Sequence, residues 1–363
     1  MNNVLRAAAK RIIVSPPTIK SVNMTKLTLR EVILAVAAVT CLAGLSSPVR
    51  ANDSAAELSL GGLVFTKSAD IAMESELLTI TPEFVTVKYQ FRNQGAAPLT
   101  LTVAFPLPDI DLAEAENYAF PVGDPNNFVG FETKIDGKAV PLTINQRATL
   151  GDKDITTPLR AANVPLLPIG AGQKRLTELP PATRKQFIDE GWLAPAGSDE
   201  RGRPLHEAAW TVKMSAVRQQ TFPPGKPVLV EHRYRTSLGM SFDTVLRKGL
   251  RQNKAMDKEV DRYRKQYCIT DAFLADLDKM SSSVVDANTA KLREWRISYV
   301  LKTGANWAGP IKSFKLVVDK GNAGRLVSFC APNIKTLSPT QTEATATDFT
   351  PDKDLRILLV GRN

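Results

Sequence analysis

Residues 84–105 read FVTVKYQFRNQGAAPLTLTVAF, two runs of alternating apolar and polar residues joined by NQGAAP, which has the composition of a turn. Apolar side chains occupy every second position of both runs: Val85, Val87, Tyr89 and Phe91, then Leu99, Leu101, Val103 and Phe105. A period of two places such side chains on one face of a strand. The segment therefore predicts an antiparallel pair of strands with one buried and one solvated face.

Similar segments recur and predict a mainly β protein. A hairpin is expected over 128–144, because Asp136-Gly137 is a strong turn signal. Further strand-like runs lie at 209–217, 227–236, 294–301, 313–318, 325–330 and 355–360. Helical spacing appears over 245–280, and an insertion at 145–207 is rich in proline and charge, with a short helix at 181–191. We expect two antiparallel β-sandwich-like domains, 52–240 and 241–363, each with a short helical insertion.

The first 51 residues have the pattern of an export signal. Translation is expected to start at Met24, before a short basic region, and an apolar run follows at 32–45. The sequence Val-Arg-Ala at 49–51 has the small-x-small form that signal peptidase reads, so cleavage is expected after Ala51. The mature protein would then be periplasmic or secreted. The alternatives are an uncleaved anchor, for which the run is short, and a lipoprotein attached at Cys41, where Thr40 disfavours processing.

Charge and cysteine content agree with export. The formal charge is +10, but removing residues 1–51 leaves 40 basic and 36 acidic residues, a balance that does not favour nucleic acid as a partner. Two cysteines remain in the mature chain, Cys268 and Cys330. An even pair in an oxidising compartment predicts a disulfide. The alternative is two buried free thiols.

The sequence contains no recognisable catalytic or metal-binding set, and no metal or cofactor is expected. A Ser-His-Asp hydrolase normally has a G-x-S-x-G turn, which is absent. The chain has two histidines. His206 lies in a charged loop without an evident partner, and His232 lies on the apolar face of its predicted strand, as expected for a buried structural histidine. Zinc requires a cluster of ligands that these residues do not form.

Two charged segments are weaker candidates. An acidic run at 109–116 contains Asp109, Asp111, Glu114 and Glu116, which could bind calcium or support glycoside hydrolysis. Its spacing matches no EF-hand, and a solvated loop is the preferred interpretation. A basic helix at 246–267 could contact anionic lipid or an acidic partner peripherally. The alternative is an ordinary solvated helix face.

The loop GANWAGP at 304–310 places a tryptophan among residues that interrupt regular structure. In one interpretation Trp307 covers the end of the core and contributes mainly to stability. In the other, Asn306, Trp307 and Pro310 form a recognition loop for a partner, since tryptophan is enriched at binding hot spots. The structural interpretation is preferred.

Several stretches resemble a known family. AFPLPDID, QTFPPGKPVLVEHRY, YVLKTGANWAGPIKSFKLVVDKG and LVSFC are similar to exported proteobacterial proteins with a domain of unknown function, over roughly residues 52–361. The resemblance implies an envelope location and a mainly β fold, and it implies no activity. VKYQFRN, LTVAFPLP and VGFETKIDGKAV are also similar to the β-sandwich that precedes von Willebrand A domains in inter-α-inhibitor-like proteins. The Asp-x-Ser-x-Ser motif of an A domain is absent, so metal-dependent adhesion is not expected.

Together these patterns predict an exported, non-catalytic envelope protein that binds a protein partner or an envelope component. Two alternatives stay open. One is a carboxylate-based envelope hydrolase that uses residues 109–116, and the other is a periplasmic carrier of a small or lipidic ligand. No transmembrane span is expected in the mature chain, because no other apolar run is long enough.

Overall fold

A computed structural model of the protein describes residues 54–55, 60–61, 69–107, 109–113, 119–282, 292–302 and 307–362. The predicted export segment, 1–51, lies outside the described residues. Residues 52–363 form one compact unit.

Strands provide most of the regular structure, which confirms the mainly β prediction. They are β1 (Ser54–Ala55), β2 (Leu60–Gly61), β3 (Ile71–Ile80), β4 (Phe84–Asn93), β5 (Leu99–Pro106), β6 (Ile110–Asp111), β7 (Glu132–Ile135), β8 (Lys138–Ala139), β9 (Thr143–Leu150), β10 (Lys153–Asp154), β11 (Leu193–Ser198), β12 (Pro204–Ala208), β13 (Thr211–Phe222), β14 (Pro227–Arg235), β15 (Gly239–Phe242), β16 (Leu292–Val300), β17 (Ile311–Asp319), β18 (Leu326–Phe329), β19 (Lys335–Thr336), β20 (Gln341–Phe349) and β21 (Leu355–Arg362). The described helices are short: α1 (Thr156–Ala161), α2 (Gln173–Thr177), α3 (Pro181–Asp189), α4 (Lys248–Arg251), α5 (Asp257–Tyr267) and α6 (Asp271–Ser282), with 3-10 turns at Gly170–Gly172 and Lys254–Met256.

The largest sheet has eight strands in the order β19-β20-β17-β3-β4-β14-β7-β8. Its centre is β3 paired with β4, and the alternation predicted for β4 is confirmed, since Val85, Val87, Tyr89 and Phe91 are all buried. The hairpin predicted at Asp136-Gly137 is also present, as β7 and β8. All pairs in this sheet are antiparallel except β3 with β17, which are parallel.

This sheet differs from the predicted organisation in two respects. Strand β17 comes from the C-terminal part of the chain, yet it pairs with β3 over Ser313–Val318 and Ser75–Ile80. The expected boundary at residues 240/241 therefore passes through one hydrogen-bonded sheet, and that sheet is not antiparallel throughout. The physical reason is that β4 satisfies only one edge of β3, and the other edge requires a second partner for its N–H and C=O groups.

The second sheet has the order β10-β9-β13-β5, with β6 also paired to β13. Strand β5 pairs with β13 and not with β4, so the predicted antiparallel pair 84–91 and 99–105 is wrong. The turn between them carries the chain from one sheet to the other. The buried Asn93 side chain holds this corner, because its amide nitrogen donates to the carbonyls of Ala97 and Phe222, each at 2.9 Å.

The third sheet has the order β1-β15-β16-β21-β18, with β2 on β16. One face joins the main core through residues such as Ile297 and Tyr299. The other face packs against α5 and α6 and forms a second apolar cluster with them. The predicted disulfide is present: Cys268, just after α5, is bonded to Cys330, just after β18.

The insertion at 145–207 contains more regular structure than the one short helix predicted for it. It contains most of β9, helices α1 to α3, and the separate hairpin β11/β12. The helix predicted at 181–191 is confirmed as α3. Trp210 ties the insertion to β13, because its indole N–H donates to the Leu166 carbonyl at 2.8 Å.

Candidate functional site

Polar side chains meet inside the core, where the three sheets come together. We call this set the central polar cluster: Glu76 on β3, Tyr89 on β4, Arg218 on β13, His232 and Tyr234 on β14, and Tyr299 on β16. Glu76 is 3% exposed, Arg218 8% and His232 0%. Polar groups so deeply buried occur in proteins mainly where they are paired or where they serve a function.

The alternation of each strand explains why these side chains point inward. Glu76 lies in phase with the buried Leu78 and Ile80. Arg218 lies in phase with the buried Ala216 and Phe222. Because successive side chains on a strand face opposite ways, both charged residues are placed on the core-facing side.

A chain of hydroxyl and carboxyl groups links two of the sheets. The hydroxyls of Tyr89 and Tyr299 are 3.1 Å apart, and Tyr299 also hydrogen-bonds the Glu76 carboxyl. Burial raises the pKa of Glu76 to about 8, against the opposing effect of the Tyr299 hydrogen bond. The Glu76 carboxyl is therefore mostly protonated at neutral pH, where it can donate a hydrogen bond as well as accept one.

Arg218 brings a positive charge to the cluster from the second sheet. Burial lowers the pKa of its guanidinium to about 10, and the nearby Tyr89 hydroxyl opposes this effect. The side chain thus remains charged at neutral pH. Within the described part of the chain, neither Nε nor Nη1 of Arg218 has a hydrogen-bond partner. Two buried guanidinium nitrogens therefore carry a desolvation penalty that no hydrogen bond from the described residues offsets.

His232 and Tyr234 add two further unmatched groups. His232 Nδ1 is 2.8 Å from the Thr133 hydroxyl, but Nε2 has no hydrogen-bond partner among the described residues, and neither does the Tyr234 hydroxyl. Burial, reinforced by the positive charge of Arg218, holds the pKa of His232 well below its usual value. His232 is therefore neutral at pH 7, and its expected position inside the core is confirmed.

Aromatic rings surround this part of the cluster. Phe105 and Phe131 lie 4.4 Å apart between ring centroids. Their centroids are 5.3 and 5.0 Å from that of His232, and 5.7 and 5.8 Å from that of Tyr234. The polar atoms of His232 and Tyr234 thus lie next to apolar rings, in surroundings where an electrostatic interaction is stronger than in water.

The acidic run does not contribute to the cluster. Asp109 and Asp111 are exposed, and Asp109 lies 3.6 Å from the Lys213 ammonium, on the outer face of β13. Glu114 and Glu116 lie outside the described residues. No group of three or more potential metal-ligating side chains occurs in the described ranges.

Trp307 lies in the core and is 6% exposed. Its ring packs on Phe91 with centroids 4.3 Å apart, and the following residue, Ala308, donates its N–H to the Ile71 carbonyl at 3.0 Å. These contacts favour the structural interpretation, because the indole is not available to a partner at the surface. Pro310 is exposed, and Asn306 lies outside the described residues.

The predicted continuous helix at 246–267 is wrong. It divides into α4, a 3-10 turn and α5, because Asn253 has an extended backbone (φ −88°, ψ 114°) and caps the turn with its side chain. Four of its arginines form ion pairs: Arg247 with Asp243, Arg251 with Asp278, Arg262 with Glu259, and Arg264 with Asp271. The surface therefore has less free positive charge than the sequence suggests. None of the helices in the described ranges is long and apolar enough to cross a membrane.

Sequence reasoning missed the two charged members of the cluster. Strand β3 was not among the predicted strands, and β13 was predicted only to residue 217, one residue before Arg218. A usable signal exists in both segments, since a charged residue occupies an apolar phase of the alternation. In IAMESELLTI this residue is Glu76, and in TVKMSAVRQQTF it is Arg218.

Two solved structures show a slight likeness to the chain. The chain is similar to a "putative nutrient binding protein" from Legionella pneumophila subsp. pneumophila str. Philadelphia 1, with 16% identity and a TM-score of 0.45 over 85% of this chain and 72% of that one. It is also similar to the M1 zinc metallopeptidase of Deinococcus radiodurans, with 8% identity and a TM-score of 0.24 over 83% of this chain and 43% of that one, so it spans under half of the metallopeptidase. Neither likeness is strong enough to support an argument about function.

No curated protein matches the chain. The similarity of its first half to the domain that precedes von Willebrand A domains stays a prediction. The family suggested by the sequence motifs is confirmed, because the model of the domain of unknown function DUF4424 matches residues 51–358. The protein belongs to the DUF4424 family.

Proposed function

We propose that this protein is an exported, non-catalytic carrier that binds one small ligand at the central polar cluster. The observation that carries this proposal is the Arg218 guanidinium, which is 8% exposed and has two nitrogens without a hydrogen-bond partner in the described residues. The unmatched His232 Nε2 and Tyr234 hydroxyl belong to the same cluster. Buried polar groups are nearly always satisfied, and a bound ligand would supply the missing partners.

The surface features support a carrier over a protein that binds a macromolecular partner. The sequence offered two contact surfaces, the loop around Trp307 and the basic segment at 246–267. Trp307 is buried, and the arginines of the basic segment form ion pairs. Export rests on the signal-like pattern of residues 24–51.

The non-catalytic role is proposed from the position of the carboxyl groups. Asp109 and Asp111, the described part of the acidic run, are exposed on the surface. The carboxyl group of the central cluster, Glu76, is buried and hydrogen-bonded to Tyr299. Glycoside hydrolysis needs two carboxyl groups that face a shared substrate position, and the exposed Asp109 and Asp111 do not share one with the buried Glu76.

The test is the release of small molecules from purified protein. Wild type and Arg218→Met would be isolated under native conditions from the organism's own envelope fraction, denatured, and the released compounds identified by mass spectrometry. We expect one compound near stoichiometric amount from wild type and none from Arg218→Met. Lys213→Met is the matched control, because it removes one positive charge from the exposed face of the same strand.

Two results would refute the proposal. Wild type could release nothing, in which case ordered water satisfies the buried groups. Alternatively, Arg218→Met could release the same compound in the same amount as wild type. Circular dichroism of each variant separates loss of the ligand from loss of the fold.

A further inference from the structure

The buried charges of this protein differ in how they are compensated. Besides His232, the buried acidic and basic side chains of the described residues are Glu76, Arg218, Glu294 and Glu343. Glu294 accepts hydrogen bonds from Tyr263 and Arg296, at 2.8 and 2.5 Å. Glu343 is paired with two lysines, Lys315 and Lys335. Both of these carboxylates therefore have a counter-charge within the protein.

Arg218 does not have one. No described acidic side chain lies within ion-pair distance of its guanidinium. The acidic member of the central polar cluster, Glu76, is mostly protonated at neutral pH because burial raises its pKa to about 8. His232 is neutral. The central polar cluster thus carries a net charge of about one positive unit in an apolar interior.

From this we infer that the ligand of the proposed carrier is a small monocarboxylate with an apolar body, whose carboxylate binds Arg218 and whose body packs against Phe105 and Phe131. The inference rests on the proposed function and specifies its ligand class.

The charge of the cluster selects a monoanion. One negative charge on the ligand would neutralise Arg218 and leave the interior without net charge. A dianion, such as sulfate or the phosphate of a monoester, would leave an uncompensated negative charge in a region of low dielectric, which is strongly unfavourable. A neutral ligand would leave the guanidinium uncompensated, as it is without ligand.

The geometry and the surrounding side chains select the carboxylate and the apolar body. A guanidinium binds planar carboxylates especially well, since its N–H donors match the two oxygens. The rings of Phe105 and Phe131 lie within 5.8 Å, between centroids, of His232 and Tyr234. Such a wall favours an aromatic or aliphatic group over a bare hydrated ion.

The experiment measures binding of defined probes to ligand-free protein. Wild type would be unfolded in urea with its disulfide intact, dialysed, refolded, and titrated calorimetrically at neutral pH with benzoate and hexanoate. Methyl benzoate and methyl hexanoate are the uncharged controls, and inorganic phosphate and sulfate are the anionic controls. We expect at least one of the two carboxylates to bind one-to-one and at least tenfold more tightly than its ester and than either inorganic anion.

Variants locate the binding. Arg218→Met should lose at least 100-fold in affinity for the carboxylate, whereas Lys213→Met should bind it like wild type. If Arg218→Met does not fold, Arg218→Lys serves instead. It should bind at least tenfold more weakly than wild type, because an ammonium lacks the planar donor geometry. An Arg218→Lys protein that binds the carboxylate as tightly as wild type would overturn the inference.

The failure of this inference differs from the failure of the carrier proposal. If wild type purified from the envelope releases a neutral compound, a dianion or a phosphorylated compound, the carrier function stands and the monocarboxylate is wrong. The same holds if a compound is released but neither probe binds better than its ester. If nothing is released and nothing binds, both proposals fail together.

Discussion

Glu76 should make the stability of this protein fall as pH rises through neutrality. Burial raises the pKa of its carboxyl from 4.5 to about 8 in the folded protein. Between these two values the folded state holds a proton that the unfolded chain has released, so folding takes up a proton and stability decreases with pH. The slope for one proton is about 1.4 kcal/mol per pH unit. Over the whole window the loss is about 5 kcal/mol.

His232 limits where this effect is visible. Its folded pKa is held well below 6.5, so below pH 6.5 the unfolded chain takes up a proton that the folded protein does not. That contribution makes stability fall as pH decreases, and it opposes the contribution of Glu76. Between pH 6.5 and about 8 the histidine of the unfolded chain loses its remaining protons, and Glu76 makes the larger of the two contributions. Wild type should therefore lose about 2 kcal/mol of stability across this interval.

The assay is urea unfolding at several pH values from 6.5 to 8, with the disulfide intact. Glu76→Gln has no titrating carboxyl, so its stability should be nearly constant where that of wild type falls. Glu74→Gln is the control on the same strand. The Glu74 carboxylate is only partly buried and is paired with Arg92, which lowers its pKa, so it is already ionised throughout the interval. This variant should show the pH slope of wild type. Parallel slopes for wild type and Glu76→Gln would refute the reasoning.

Three further predictions concern stability and processing. Trp307→Ala should lower the free energy of unfolding by about 3–5 kcal/mol, because it removes a buried ring that packs on Phe91; a loss in urea unfolding below about 1 kcal/mol would contradict the core position. Cys268→Ser should lower it by about 3–4 kcal/mol, since the disulfide to Cys330 closes a loop with a sequence separation of 62. Alkylation of the denatured, unreduced mature protein should accordingly label no cysteine, and one labelled thiol would be contrary evidence. Amino-terminal sequencing of the exported protein should begin at Asn52, whereas a start within residues 24–51 would show that the signal is not cleaved there.

Much of the local structure could be predicted from the sequence. The period-two pattern correctly placed the side chains of β4, and Asp136-Gly137 correctly marked a hairpin. The pairing of β4 with β5 was nevertheless predicted wrongly, because alternation shows which face of a strand is buried and does not show which strand lies beside it. The chain instead turns at Asn93 into another sheet.

The candidate site could not be predicted in the same way. Each of its members is recognisable alone as a polar residue in an apolar phase, but such a residue can equally belong to an edge or a bulge. The charged segments predicted as candidate sites, by contrast, stand out only by their content of acidic or basic residues. The acidic run and the basic segment proved to be exposed or paired.

The sequence was sufficient for the family, the mainly β class, the orientation of side chains along individual strands and the pairing of Cys268 with Cys330, because these depend on local periodicity, motifs and a count. The neighbours of each strand were settled only by tertiary structure. The hydroxyls of Tyr89 and Tyr299 meet although 210 positions separate them in the chain, and Arg218 reaches the same interior from the second sheet. Contacts over such separations arise from the packing of whole sheets, so the environment that keeps Glu76 protonated and Arg218 uncompensated exists only in the folded protein.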